Sequence, residues 1–267
     1  VPYVRVAFPT LHVLACETNR GWSGGNNLGI EWARRRGARY VVLANNDIRP
    51  DPRWVRCAVD LAESDPTIAI AGFRILEPSG QSQVDDSGFD EAVAGWPGLQ
   101  AHEARVVDGM AMFVRTELFE RIGLIDEGFF AYAEDNDLVW RARKAGYRVV
   151  RTNVPVWHYG AGTFGERPLW AASLQIRNNL RLAIKHESLA GVLYQTARHL
   201  AKGCLPFLKT PAGDHIARRL RPSNVFVNFG LWLYAVGWNL WRLPATLRRR
   251  REDERRIRAA RREEEAP

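Results

Sequence analysis

Cysteine is scarce in this chain. Cys16, Cys57 and Cys204 are three of 267 residues, odd in number, far apart and outside any C-x-x-C pair. That excludes a disulfide-stapled scaffold and a zinc–thiolate centre, and it points to a reducing compartment. No charged segment followed by an apolar stretch opens the chain, so no secretory signal pattern is visible. The first residue is Val1 rather than methionine, which suggests a fragment or a start further upstream. The phosphate-loop pattern G-x-x-x-x-G-K-[ST] is absent, and the glycine spacing does not give the dinucleotide fingerprint. Nor is there an excess of charge that would prevent folding: charged residues make up 25% and hydrophobic residues 46%. A core of that size supports one large domain with an appendage.

The net charge is +8 and the pI about 9.8. Such a balance suits nucleic acid, an anionic membrane surface or a phosphorylated substrate. From Arg242 onward there are ten Arg and six Asp or Glu, so half of the excess (+4) lies in the last tenth of the chain. The acids interspersed there weaken a phosphate-tracking stripe, and no nucleic acid partner is expected.

Short apolar runs alternate with helical patterns up to about residue 160, which predicts an α/β fold with a mainly parallel sheet and helices on its faces. "HVLACE" (12–17), "YVVLA" (40–44), "IAIAGF" (68–73), "VVDGMAMFVR" (106–115) and "YRVVRT" (147–152) read as strands. "NRGWSGGNNLG" (19–29) leads into a helix that Gly37 ends, and further helices are predicted over about 134–145 and 169–186. Residues 77–105 read as a long irregular loop. "NVFVNFGLWLYAVGWNLW" (224–241) is apolar, Trp-rich and flanked by arginines. It fits a helix lying in a membrane interface, one packed on the catalytic domain, or a short span. The segment after Arg248 is most simply a solvated charged helix or tail.

Four groups of residues carry candidate chemistry. Asn45-Asn46-Asp47 follows an apolar strand directly. Ligands bind beyond the carboxyl ends of strands in open α/β sheets, and an aspartate there can hold Mg²⁺ or Mn²⁺. The same tripeptide is also an ordinary turn. Glu134-Asp135-Asn136-Asp137 opens a helix, where the macrodipole stabilises acids regardless of function. That field would also help keep Asp135 ionised, as a general base requires. His158 follows the last strand and is a candidate metal ligand, with imidazole better suited to Mn²⁺ than to Mg²⁺. The glycines of 19–29 stand before a helix N-terminus, which can cradle phosphate.

The order of these pieces resembles family 2 glycosyltransferases, particularly the bacterial rhamnosyltransferase-like group. "NRGWSGGNNLGI" looks like that family's N-x-G-(F/W)-x-x-G-N-N-x-G segment, and "YVVLANNDIRPDPRWV" like its strand, its variant D-x-D motif and the following helix. "VDGMAMFVRTELFERIGLIDEGFFAYAEDNDLVWRARKAGY" resembles the stretch ending in its E-D-x-D…R motif. "HYGAGT" and "QIRNNLRLAIKH" resemble its H-x-x-G-x-(S/T) segment and R-N-x-x-R helix.

The resemblance implies a GT-A fold, a Rossmann-like mostly parallel sheet with flanking helices and a C-terminal helical extension. It implies inverting transfer from a nucleotide-diphosphate sugar. Asp47 would bind Mg²⁺ or Mn²⁺ together with His158, and Asn45 and Asn46 stand where acids often stand. Asp135 would be the base and Glu134 its neighbour. Asn19, Gly21, Gly25, Asn27 and Arg177 would lie on the donor side, Gly109, Asp137 and Arg141 on the acceptor side, with Arg141 or Arg143 supporting either the base's helix or the acceptor site. The division expected is a catalytic domain over 1–186, a membrane-associated helical extension over 187–247 and a charged tail over 248–267. The expected acceptor is a cell-envelope or lipid-linked glycan at the cytoplasmic membrane face, with rhamnose from a dTDP donor as the sugar. The family's first strand, first helix and VDN-x-S segment, which contact the nucleotide base, would precede Val1. A non-catalytic sugar-nucleotide or glycan-binding module in a membrane complex is the alternative.

Overall fold

Apolar runs at 68–76 and 148–158 pair with each other at the centre of a sheet, and helices cover both of its faces. The computed structural model describes residues 2–82, 98–159, 168–204 and 225–264. Within them the order is α1 (Pro2–Ala7), α2 (Gly21–Arg34), β1 (Tyr40–Ala44), β2 (Ile48–Pro50), α3 (Trp54–Ser64), β3 (Ile68–Leu76), β4 (Ala101–Glu103) and β5 (Ala111–Arg115). Then follow α4 (Thr116–Ile122), α5 (Glu134–Lys144), β6 (Arg148–His158), α6 (Pro168–His186), α7 (Leu189–Cys204) and α8 (Val225–Glu264).

The strands run in the order β1-β5-β3-β6-β2, with β4 also against β6. Only β3 and β6 are parallel; the β1–β5, β3–β5, β2–β6 and β4–β6 pairs are antiparallel. The expectation of a mostly parallel sheet is therefore corrected to a mixed one. A continuous apolar run marks a buried strand but carries no direction. The strand pattern at 12–17 is also corrected. That segment joins no ladder, and Leu14 is 41% exposed. Inside the expected loop 77–105 the chain forms β4, while 83–97 lie outside the described residues.

One face of the sheet packs Ile70, Met112 and Val114 against Ile30 of α2, Leu118 and Phe119 of α4, and Leu138 and Val139 of α5. The other packs Ala71, Phe73 and Phe113 against Ala58 and Ala62 of α3. Both faces are thus covered, as the unbroken burial along β3 requires.

The C-terminal charged segment is not a solvated tail. α8 is one continuous helix of 40 residues, and it crosses the expected division at 247/248 without a break. Thr246, Asp253, Ile257 and Ala260 are buried along one of its edges, and Ile257 and Ala260 join the core beside α4. No helix among the described residues is long and apolar enough to cross a membrane.

Candidate active site

The two acidic blocks meet because of strand pairing. Ala44, the last residue of β1, lies opposite Ala111, the first of β5. The Asn45 backbone N–H then donates to Met110 O at 2.9 Å, so the Asn45–Asp47 turn sits beside Asp108, Gly109 and Met110. Gly109 N–H in turn donates to Asp135 Oδ2 at 3.0 Å. The Trp22 indole closes the gap between them, donating from Nε1 to Asn45 Oδ1 at 3.1 Å. A Cβ on Gly109 would lie 2.9 Å from Trp22 Cζ2 and 3.3 Å from Asp135 Cβ, so only glycine fits between ring and carboxylate. Asp47 and Asp135 thus belong to neighbouring segments of one region.

Asp47 and His158 come together by a second register. β2 pairs with the end of β6 so that Ile48 faces His158, and Tyr159 N–H donates to Asp47 O at 2.9 Å. His158 Nε2 lies 3.4 Å from Asp47 Oδ2. Asp47 Oδ1 is buried and has no hydrogen-bond donor among the described residues. A buried, unsatisfied carboxylate oxygen beside an imidazole is a donor set that fits a divalent cation, and Mn²⁺ better than Mg²⁺. Among the described residues no third His, Cys, Asp or Glu joins them. Asn46 is exposed in the same turn.

Asp135 is half-buried in the first turn of α5. Burial and then the Asp108 carboxylate push its pKa up to about 6, against N–H bonds from Gly109 and Asn136 that pull it down. The helix field was expected to favour the ionised form; desolvation and a like charge outweigh it. Glu134 is 5% exposed, with Oε2 unpaired, and burial followed by the Asp135 charge holds it well above the usual carboxylate range. A carboxylate near 6 beside a buried acid whose pKa is also raised is an arrangement suited to general-base chemistry at neutral pH.

The backbone leading into α5 is strained. Phe130, Tyr132 and Ala133 have φ of 68°, 71° and 69°. Left-handed conformations of such residues cost about 1–3 kcal/mol each and persist only where surroundings impose them. Here α6 imposes them. Asn178 Nδ2 donates to the carbonyls of Phe129, Ala131 and Tyr132 at 2.8, 2.6 and 2.9 Å. Arg177 Nη2 donates to Phe129 O at 2.9 Å. From the other side Ser23 N–H reaches Phe130 O at 3.2 Å, and a Cβ on Gly21 (φ +69°) would fall 2.4 Å from that oxygen. Asn178→Ala leaves the Ala131 and Tyr132 carbonyls short of a donor, while Phe129 O keeps Arg177 Nη2. Its expected effect is a loss of roughly 2 kcal/mol in urea unfolding, by the cost of buried unsatisfied groups; a loss under about 1 kcal/mol would contradict the clamp.

Several expected contacts lie elsewhere. Asp137 and Arg141, expected on the acceptor side, are fully buried and bonded to each other at 2.9 Å, with Arg141 also donating to the carbonyls of Ile122, Gly123 and Leu124. Asp137, two residues on from Asp135, lies on the opposite, inward side of α5 with Arg141 four residues further along the same face, and neither can face a substrate. Asn27, expected on the donor side, clasps the backbone of Ile125 through both Oδ1 and Nδ2. Arg177, expected near the diphosphate, is 8% exposed and stacks on Trp238 with 4.3 Å to the ring centroid. The glycine-rich stretch is not a loop before a helix but the opening turns of α2 itself, with Asn19 Oδ1 accepting from Gly21 N–H at 2.9 Å and Gly25 exposed. Trp22, Asp108 and Asn178 were not singled out from the sequence. Asp108 carried a signal: an acid immediately before a glycine at the mouth of a strand.

Covered mixed sheet, acidic turn at a strand end and buried acids opening a helix define a GT-A glycosyltransferase fold. Residues 3–116 match the family described as Glycosyl transferase family 2. It is 28% identical over 154 residues to the low-salt glycan biosynthesis hexosyltransferase Agl10 of Haloferax volcanii, covering 54% of this chain and 50% of that one. It is 26% identical over 192 residues to the N-acetylglucosaminyl-diphospho-decaprenol L-rhamnosyltransferase of Mycobacterium tuberculosis, covering 60% of this chain and 62% of that one. The chain therefore spans between half and two thirds of the length of these relatives. Among solved structures, GalNAc-T7 with UDP, GalNAc and Mn²⁺ superimposes with a TM-score of 0.51 at 12% identity, over 90% of this chain and 47% of that one.

Proposed function

We propose that this chain transfers a sugar, with inversion, from a nucleotide-diphosphate donor to a glycan or lipid-linked acceptor. The observation that carries this is the Asn45–Trp22–Gly109–Asp135 chain of contacts, which joins the candidate cation-holding turn to the candidate base. Asp135 takes the proton from an acceptor hydroxyl, and that oxygen attacks the anomeric carbon opposite the diphosphate. Asp47 and His158 would hold the cation, Mg²⁺ or Mn²⁺, which when bound offsets charge on the leaving diphosphate. The similarity to a solved complex with UDP and Mn²⁺ and to two sugar transferases supports the reading. Rhamnose from dTDP-rhamnose is the proposed sugar, on the likeness to a rhamnosyltransferase whose name specifies a diphospho-decaprenol acceptor. An acceptor of that kind would place the reaction at a membrane surface.

The test is transfer of labelled rhamnose from dTDP-rhamnose to lipid-linked glycan acceptors by the full chain. Turnover in Mn²⁺ that EDTA abolishes and Mn²⁺ restores is the expected result. Calorimetric binding of the nucleotide sugar with no transfer under any condition would instead favour a sugar-nucleotide-binding module.

A further inference from the structure

The C-terminal helices turn large apolar residues outward as well as inward, where Ala235 of α8 packs on Ile176 and Leu180 of α6. On α8 the buried positions include Asn228 and Asn239, while Phe226, Leu233, Leu240 and Trp241 face outward; Phe226 is 84% exposed and Trp241 73%. Asn239 Nδ2 is bonded inward to Arg177 O at 2.8 Å. The neighbouring α7 repeats the pattern. His199 is buried, and burial lowers its pKa to about 4, whereas Leu189, Leu193 and Tyr194 are 75%, 61% and 64% exposed. The two helices touch, and Trp232 of α8 donates from Nε1 to Thr196 O of α7 at 2.9 Å. Leu189 and Leu193 are four residues apart on α7, and Phe226, Leu233 and Leu240 seven apart on α8, so each helix carries these outward residues on one side. Isolated exposed apolar residues are normal, but a contiguous set with the polar groups turned inward marks a surface that meets an apolar phase.

Charge decides which phase. α7 contains no Asp or Glu, and α8 contains none before Glu252. The same two stretches carry Arg198, Lys202, Arg242 and Arg248–Arg251. Arg242 and Arg248 are exposed just beyond Trp241, at the end of the apolar stripe. A face that is apolar in the middle, aromatic at its margin and mainly basic at its rim, with Glu187 as the acid beside α7, complements an anionic lipid monolayer. A second copy of the chain would bring its own basic rim against this one and repel it.

We infer that α7 and the first half of α8 form a membrane-binding face that lies in the headgroup region of an anionic bilayer, with Leu193, Leu233 and Trp241 inserted and the arginines in contact with lipid phosphates. This deepens the proposed use of a lipid-linked acceptor and rests on that reading only for its catalytic meaning. Vesicle binding itself needs no donor and no turnover.

Flotation of the full chain with vesicles tests it. Binding is expected to phosphatidylcholine–phosphatidylglycerol vesicles and to be weakened both in pure phosphatidylcholine and at high salt. Leu193→Asp and Leu233→Asp should each lower the partition coefficient by about tenfold or more, since an inserted leucine is replaced by a charge. Both sites are exposed, so the melting temperature should not move. The Asp135→Asn variant should float like the wild type, which separates this inference from the catalytic one. Flotation unchanged in both leucine variants would overturn the proposal. So would absence of vesicle binding together with a dimer, seen by sedimentation, that the same substitutions dissociate.

Discussion

Replacing Asp135 by asparagine is expected to lower sugar transfer by about 10²–10⁴-fold, the usual contribution of a positioned base, while leaving the affinity for nucleotide sugar unchanged. Donor affinity should hold because Asp135 lies on the Gly109 side of the site, whereas the candidate cation ligands Asp47 and His158 sit together at the end of β2 and β6. The same substitution should stabilise the fold. An acid whose folded pKa is raised to about 6 destabilises the native state once pH exceeds its unfolded value. Asparagine removes that charge, and a gain on the order of 1 kcal/mol at pH 7.5 is expected in urea unfolding, with the loss of one acceptor oxygen discounted. Lost turnover with raised stability is the signature of a residue kept for chemistry. Equal losses in stability and turnover would point to a structural role.

The second large effect is expected at Lys185. Its Nζ is fully buried and lies 2.8 Å from Asp126, 2.6 Å from Asp137 and 2.9 Å from Asp253. Arg181 and Arg141 complete the cluster, through Asp126 at 3.0 Å and Asp137 at 2.9 Å. The carboxylates come from the loop after α4, from α5 and from α8, so one ammonium ties α5 to the C-terminal helix. Lys185→Met should cost about 3–5 kcal/mol, because it strands buried carboxylates rather than merely removing a pair. Burial alone would raise Asp126 and Asp137, but Lys185 with Arg181 in the first case, and with Arg141 and His186 in the second, holds both well below the usual carboxylate range. Depressed acids contribute stability above their unfolded pKa near 4 and lose it as pH falls below that value. Wild-type melting temperature should therefore drop steeply under pH 4. Lys185→Met should lack much of that slope, and an unchanged slope would show that the cluster contributes nothing.

The sequence revealed what is local. Asp135 at the head of α5, the Asn45–Asp47 turn after β1, and the extents of α5 and α6 follow from caps, apolar runs and periodicity. What escaped it depends on distant partners. Asp137 and Arg141 look as available as Asp135 until α6 and α8 are packed behind them. Strand direction is invisible in "AMFVR", which slots antiparallel between β1 and β3. The docked half of α8 did leave a trace: Thr246, Asp253, Ile257 and Ala260 recur at spacings of seven, four and three, a helical stripe hidden by the surrounding arginines. Asn178 stood in the R-N-x-x-R segment, but its role could not be read there, since it exists only through the left-handed turn it clamps.

The most direct test of the site is the pH dependence of kcat/KM for transfer from dTDP-rhamnose by the wild type and by Asp108→Asn. With Asp135 as the proposed base the ionised form would be the active one, so the wild-type rate should rise with pH through about 6 and then level. Asp108 is the neighbouring charge that helps raise that value, and its removal should move the inflection to lower pH while turnover on the plateau persists. A wild-type profile without an inflection in this range, or one that Asp108→Asn leaves in place, would contradict Asp135 as the base.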